Sequence, residues 1–309
     1  MNSGYTYRDV VKERFAGIRI LDFYIARYPK HGRDEWLSRF AREQIRLNDQ
    51  VASPDTVLRA GDRLAYVRPP WEEPSAPTDL PVIFEDDDFL AVNKPAGLPV
   101  LPGGGFLENT VIRLLRCCST NWRSISPVHC LDRGTSGLLL LGKNREALSR
   151  LGRALQKRRI TRLYLAVLEG LVAADRFTIE APIDLANHPR LGPIQAAGSG
   201  GKPSRTDFRV LDRDETTHTT LVQLAPHTGR THQLRIHAAV AGHPLAGEPF
   251  YVAGGRWDEQ AAMRADRIPL PGDCGYRLHA WQLVFAHPRD GSPIQLSCSP
   301  PAGFWEKPV

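Results

Sequence analysis

The stretch PVHCLDRGTSGLLLLGKN, residues 127–144, decides how the fold is read. Its second half, GLLLLGK, is too short and too uniformly apolar for a surface helix, so it reads as a buried strand. The next segment, NREALSRLGRALQKRR, puts Ala147, Leu148, Leu151, Ala154 and Leu155 on one side of a helix. ITRLYLAVLEG follows as a strand, with Leu163, Leu165 and Val167 on one face and Tyr164, Ala166 and Leu168 on the other. Upstream, PVIFEDDDFLAVNKP is a hairpin pattern about an acidic turn, Asn93 to Gly97 forces a tight loop, and NTVIRLLRCCS is a short helix. Downstream, SRTDFRVLDRD and THTTLVQLAP read as a strand pair, RTHQLRIHAAVAGH as a helix stopped near Gly242, and AWQLVFAHP as a late strand. The Gly-rich GPIQAAGSGGKP reads as a mobile loop. Helices mixed with mostly antiparallel strands predict an α+β class, with a mixed, mainly antiparallel central sheet.

The chain has 309 residues, enough for one large or two ordinary domains. RPPWEEPSAPTDLP, residues 68–81, holds five prolines and reads as a linker. The expected division is a small α/β module over 1–68, a linker over 69–81 and a main domain over 82–309. In the module, GIRILDFYIARYP carries Ile20, Leu21, Tyr24, Ile25 and Tyr28 at helical spacing. GRDEWLSRFAREQ sets Trp36, Leu37 and Phe40 on one helical face. Their polar side carries Arg19, Arg27, Lys30, Arg33, Arg39 and Arg42, and two short strands, IRLN and DRLAYV, follow. Basic helices over a small sheet suggest RNA binding.

Cysteines 117, 118, 130, 274 and 298 are odd in number and contain no C-x-x-C pair, which excludes a disulfide framework and a zinc motif and fits a reducing cytoplasm. The N-terminal MNSGYTYRDVVKERF has no secretory h-region, and no apolar run approaches the ~18 residues of a membrane span. The net charge of +6 fits a polyanionic partner better than a cationic one. Residues 143–162 concentrate it, with eight basic side chains, Lys157, Arg158 and Arg159 among them, against Glu146 alone. Phosphate neutralisation is the natural use of such a stripe. Local hydrogen bonding accounts better than a metal for His227, His232 and His237, because i, i+5 spacing separates side chains by about 140° on a helix. Ser136 lacks the G-x-S-x-G elbow, and no phosphate or dinucleotide loop is present. What remains is Asp132. A carboxylate in a turn before a buried strand needs a cation, and the chain offers Arg133 locally and Arg230 or Arg235 from TGRTHQLR.

HCLDRGTSGLLLL resembles the H-R-L-D-x-x-T-S-G-L-L-L signature of the RluA-type family of RNA pseudouridine synthases. NKPAGLPVLP, TRLYLAVLEG, PHTGRTHQLRIHAAVAGHPLAGEPFY and RLHAWQLVFAHP join it in the family's order. ILDFYIARYP, REQIRLNDQ and LRAGDRLAYV are similar to a small RNA-binding module first known from a ribosomal small-subunit protein. The resemblance implies isomerisation of uridine to pseudouridine in structured ribosomal or transfer RNA, with no metal and no organic cofactor. It gives Asp132 the catalytic role. Tyr164 would stack on the uracil, Arg230 would pair with Asp132, and Leu278 would wall the base. Arg133, Lys157, Arg158 and Arg159 would contact the RNA. The family usually has Arg where this chain has Cys130, so Arg133 must substitute, or base flipping is handled differently, or activity is reduced. An RNA-binding protein without turnover is the competing reading. A glycoside hydrolase would need a second carboxylate, and none is paired with Asp132 in the sequence. The expected protein is cytoplasmic and monomeric.

Overall fold

The computed structural model describes residues 1–28, 31–264 and 269–305. Lys30, read as part of the basic helical face, lies outside them. The chain divides into two units, Met1–Glu73 and Pro74–Val309. This boundary falls inside the stretch read as a linker. Asn2 bonds Trp71 and Glu73 in the first unit, and Ala76 and Leu80 pack on the core of the second.

In the first unit, strands β1 (Tyr5–Val10), β2 (Ile45–Leu47), β3 (Gln50–Val51) and β4 (Arg63–Arg68) form a sheet in the order β1-β4-β2-β3. Helices α1 (Ile20–Arg27) and α2 (Arg33–Ala41) share its core, where Tyr24 stacks on Trp36 at 4.5 Å. The strand β1 went unread in the sequence, because YTYRDV puts tyrosines and an acid, not aliphatic residues, at its alternate positions. Arg19, Arg27, Arg33 and Arg39 all lie within ion-pair range of carboxylates. Arg39 is mostly buried, whereas the pairs of Arg19, Arg27 and Arg33 are exposed and hold their partners weakly.

The second unit opens with the hairpin β5 (Val82–Glu85) and β6 (Phe89–Lys94), then α3 (Val111–Cys118) and β7 (Ser126–Pro127). The leucine strand β8 (Ser136–Gly142) leads to α4 (Arg145–Gln156) and β9 (Thr161–Glu169). After β10 (Arg176–Ile179) come the hairpin β11 (Ile183–His188) and β12 (Gly192–Ala197), the pair β13 (Thr206–Asp214) and β14 (Thr219–Pro226), and α5 (Gln233–Val240). A short α6 (Glu259–Arg264), β15 (Leu278–Ala286) and β16 (Pro293–Ser297) complete it. The sheet runs β10-β13-β14-β9-β15-β8-β6-β5, with β16 beside β15 and β7 beside β8. Every pair in it is antiparallel except β8 with β15, which are parallel over only Ser136↔His279 and Gly137↔Ala280. The fold is therefore α+β on a mixed, mainly antiparallel sheet. Among the described residues no helix is long and apolar enough to cross a membrane.

The four leucines are apolar because the sheet is covered on both faces at β8. Leu139 and Leu141 join the core under α3 and α5, whereas Leu138 and Leu140 join the core under α4. Two sequence readings need correction. GPIQAAGSGGKP is not a loop throughout: its first half is β12, where Ile194 and Ala196 alternate inward against α5. The helix expected from Arg230 begins only at Gln233, because His232 takes a left-handed conformation at φ 57° and breaks the run.

Candidate active site

The turn between β7 and β8 is held by main-chain bonds. The Nζ of Lys94, at the end of β6, donates to the carbonyls of Pro95 and Leu98 at 2.8 Å and of Arg133 at 3.1 Å. The Gly97 N–H donates to the same Arg133 carbonyl at 2.8 Å, and the Thr135 N–H closes the turn onto the Asp132 carbonyl at 3.1 Å. Lys94 is fully buried, and that burial pulls its ammonium down to about 7, with Cys274 and Asp132 opposing. Behind the turn, the Leu140 N–H donates to His129 Nε2 at 3.3 Å, and burial beside Arg162 drops this imidazole to about 4. Gly134 packs on the Tyr276 ring, which leaves no room for a Cβ. The loop 95–98 thus grips the residue after Asp132 and fixes where its carboxylate points.

That carboxylate opens into a cleft of about 720 Å³. Tyr164 from β9, Leu278 at the start of β15, Arg158 after α4, and Arg162, Arg230 and His232 share the lining. Sheet order explains the gathering: β9 and β8 flank β15, and Tyr164 pairs with Ala280 beside Gly137. Asp132 is the only carboxylate lining the cleft among the described residues. A two-carboxylate glycosidase site would need a partner several ångströms away. Tyr164 is almost fully buried, and burial raises its phenol, with Arg162 opposing and Asp132 adding to the rise. Arg162 donates to the Thr228 carbonyl at 3.1 Å, which anchors the loop before α5.

The expected cations arrange themselves differently around Asp132. No ion pair joins Arg230 to it; Arg230 precedes α5 and is exposed at the cleft. Arg133 turns away, donating to the Gly272 carbonyl at 3.0 Å, lying 3.6 Å from Asp273 and covering Phe106 at 5.4 Å. The nearest ionisable nitrogen is instead His232 Nε2, 3.9 Å from Asp132. Deeper, Arg235 and Glu248 are buried and paired through two bonds, 2.8 and 2.5 Å, under Tyr251 and Tyr276. Arg235 is held protonated against its burial by Glu248, the phenol of Tyr276 and the charge of Asp132. The basic stripe also divides. Lys143 is paired with Glu85 at 2.7 Å and Arg150 with Glu146 at 2.6 Å, whereas Lys157, Arg158 and Arg159 are exposed in the turn after α4. Of His227, His232 and His237, the first bonds Asp207 and the last Thr206 and the Ala181 carbonyl, so they form no common ligand set. Lys94, Arg162 and His232 escaped the sequence reading as site residues; a lysine inside the apolar run FLAVNKP was the available signal.

Arg235→Met should cost about 3–5 kcal/mol of stability, because it strands the Glu248 carboxylate in the interior. Urea unfolding checks this, and Glu248→Gln added to it should recover part of the loss. A single variant within about 1 kcal/mol of wild type would mean that the pair is not structural.

The profile of the family described as "RNA pseudouridylate synthase" matches residues 88–240. The chain is 36% identical over 330 residues to RNA pseudouridine synthase 5 of Arabidopsis thaliana, covering 92% of this chain and 89% of that protein. It is 31% identical to ribosomal large subunit pseudouridine synthase D of Nitrosomonas europaea over 306 residues, covering 97% and 83% of the two chains. The solved structure of human RNA Pseudouridylate Synthase Domain Containing 1 superposes with a TM-score of 0.55 at 30% identity, covering 74% of this chain and 86% of that one. The chain belongs to the RluA-type family of RNA pseudouridine synthases, and it is an isomerase acting on RNA.

Proposed function

We propose that the enzyme isomerises uridines in structured ribosomal or transfer RNA, with Asp132 as its catalytic carboxylate. The single observation that carries this reading is one carboxylate, without a partner acid among the described residues, in a cleft lined by arginines and a buried tyrosine. Isomerisation breaks the bond from ribose C1′ to uracil N1 and forms one from C1′ to C5. The C5 proton leaves and N1 regains a proton, so no oxidant or energy source is consumed. Asp132 serves the sugar–base junction as nucleophile or as base on the ribose. Tyr164 stacks on the uracil near the departing proton, and Leu278 walls the other side. Arg230, which has no ion pair among the described residues, can turn to Asp132 when RNA fills the cleft. The name of the Nitrosomonas relative supports ribosomal RNA first, with transfer RNA as the other outcome of mapping. The free thiols fit work in the cytoplasm.

A uridine must leave its stack to reach Asp132, which costs a few kcal/mol. The exposed turn Lys157-Arg158-Arg159 supports the phosphate contacts that offset this, and Arg158 lines the cleft itself. Changing all three to Gln should weaken RNA binding and make the slope of log K against log salt less negative by about 2, as for the loss of three phosphate contacts. An unchanged slope would make the turn a solvated surface. The function as a whole is tested by tritium release from RNA labelled at uracil C5. Isomerisation must expel that hydrogen, and binding alone cannot. Release is expected; none from any cellular RNA fraction would overturn the reading.

A further inference from the structure

His232 occupies a costly place. It is neither Gly nor Asn, yet it sits left-handed at φ 57°, ψ 17° just before α5, which strains an ordinary residue by about 1–3 kcal/mol. That conformation aims the ring between Asp132 and Tyr251, and only 15% of its side chain is exposed. Nδ1 lies 2.7 Å from the Tyr251 hydroxyl, and that hydroxyl lies 2.9 Å from the Gln195 carbonyl of β12. A carbonyl can only accept, so the tyrosine proton belongs to Gln195. Both contacts are satisfied together only when Nδ1–H donates to the tyrosine oxygen. The other nitrogen, Nε2, then carries a lone pair, and it faces the Asp132 carboxylate at 3.9 Å. The described residues give that carboxylate no hydrogen-bond donor.

We propose that His232 is a positioning residue for the isomerisation: the Gln195–Tyr251 chain fixes its tautomer so that a lone pair, not an N–H, faces Asp132, and protonation converts this contact into an ion pair that withdraws the carboxylate. This rests on the catalytic role of Asp132 proposed above. An ion pair to His232 competes with the one Arg230 offers and holds the carboxylate at the start of α5. Neutral His232 leaves it free to take the Arg230 contact proposed above. The groups facing His232 are Asp132 from the turn before β8, Arg235 one turn further along α5, and Glu248 and Tyr251 from the segment after it. Burial and Arg235 favour the neutral ring and outweigh Asp132 and Glu248, which favour the charged one. The active form therefore prevails at neutral pH, and activity falls as acid protonates Nε2 below the ordinary histidine value of about 6.5.

The test is single-turnover tritium release at saturating enzyme, from about pH 5.5 to about pH 8.5, beside RNA affinity. Tyr251→Phe keeps the packed ring and removes the acceptor of Nδ1–H, which frees the tautomer with Nε2–H toward Asp132. Its rate at pH 8 should fall about tenfold with affinity unchanged. His232→Asn suits the left-handed backbone, so it should fold, and it cannot titrate. Its rate should stay flat through the acid range in which the wild type loses activity. Variants that both keep the wild-type rate and the wild-type acid limb overturn the proposal. Asp132→Asn separates the two readings: if it still turns over, the catalytic role of Asp132 fails. If it is inactive while the His232 and Tyr251 variants behave as wild type, only the positioning role fails.

Discussion

Asp132→Asn is expected to lower tritium release by about a thousandfold or more, while RNA affinity stays within about twofold. Loss of a reacting group costs this much when no neighbour can take over. No second carboxylate lines the cleft among the described residues. His232 Nε2 is 3.9 Å away, but it is held by Tyr251 and cannot follow the ribose. The substitution removes no structural bond, because Lys94, Gly97 and Thr135 hold the turn through main-chain carbonyls. The amide also leaves the exposed Arg158 and Arg159 untouched. The two measurements therefore separate chemistry from binding. Release kept within tenfold of wild type would remove Asp132 from the reaction, whatever its effect on affinity.

Much of this was legible in the chain. The leucine run announced a buried strand, and the hairpin before it, ITRLYLAVLEG after it and the late AWQLVFAHP were read from their apolar runs. Asp132 stood out because a carboxylate so close to that run required an explanation. Its surroundings were less legible, for a geometric reason. TGRTHQLR contains two arginines, and which one turns inward depends on where the helix begins. Left-handed His232 delays α5 to Gln233, which sends Arg235 into the interior toward Glu248 and leaves Arg230 in the exposed loop. Sequence periodicity carries no sign of a single residue at positive φ. Adjacency along the chain made Arg133 one of the candidate partners for Asp132, but its guanidinium is taken by the Gly272 carbonyl and Asp273, contacts that lie far along the sequence. The strand β12 hid in a Gly-rich segment because its inward positions are filled by a modest Ile194 and Ala196.

Gly137→Ala should unfold the enzyme outright or cost more than about 5 kcal/mol, a severity reserved for a few mechanisms. Two of them coincide here. Gly137 sits at φ +104°, where a Cβ is strained whatever the space. A Cβ there would lie 2.7 Å from the nitrogen and 2.8 Å from the carbonyl carbon of Ala280, and nearer still to its oxygen. Those are backbone atoms of β15, which no rotamer change can move. They also belong to one of the two residue pairs through which β8 and β15 meet. Forcing them apart splits the sheet between β8, which continues the turn of Asp132, and β15, which carries Leu278. Ala280 pairs with Tyr164 as well, so the wall opposite would shift too. Gly152 in α4 supplies the control, because nothing lies within 4 Å of its Cβ position and its φ is ordinary. There the same substitution should stabilise the protein by about 0.5–1 kcal/mol, the gain of Ala over Gly inside a helix. Urea midpoints moving in opposite directions for the two variants would locate the joint of the fold at Gly137. A Gly137→Ala protein with wild-type stability would mean that β8 and β15 are not joined there, and that the turn carrying Asp132 is held by the Lys94, Gly97 and Thr135 bonds without them.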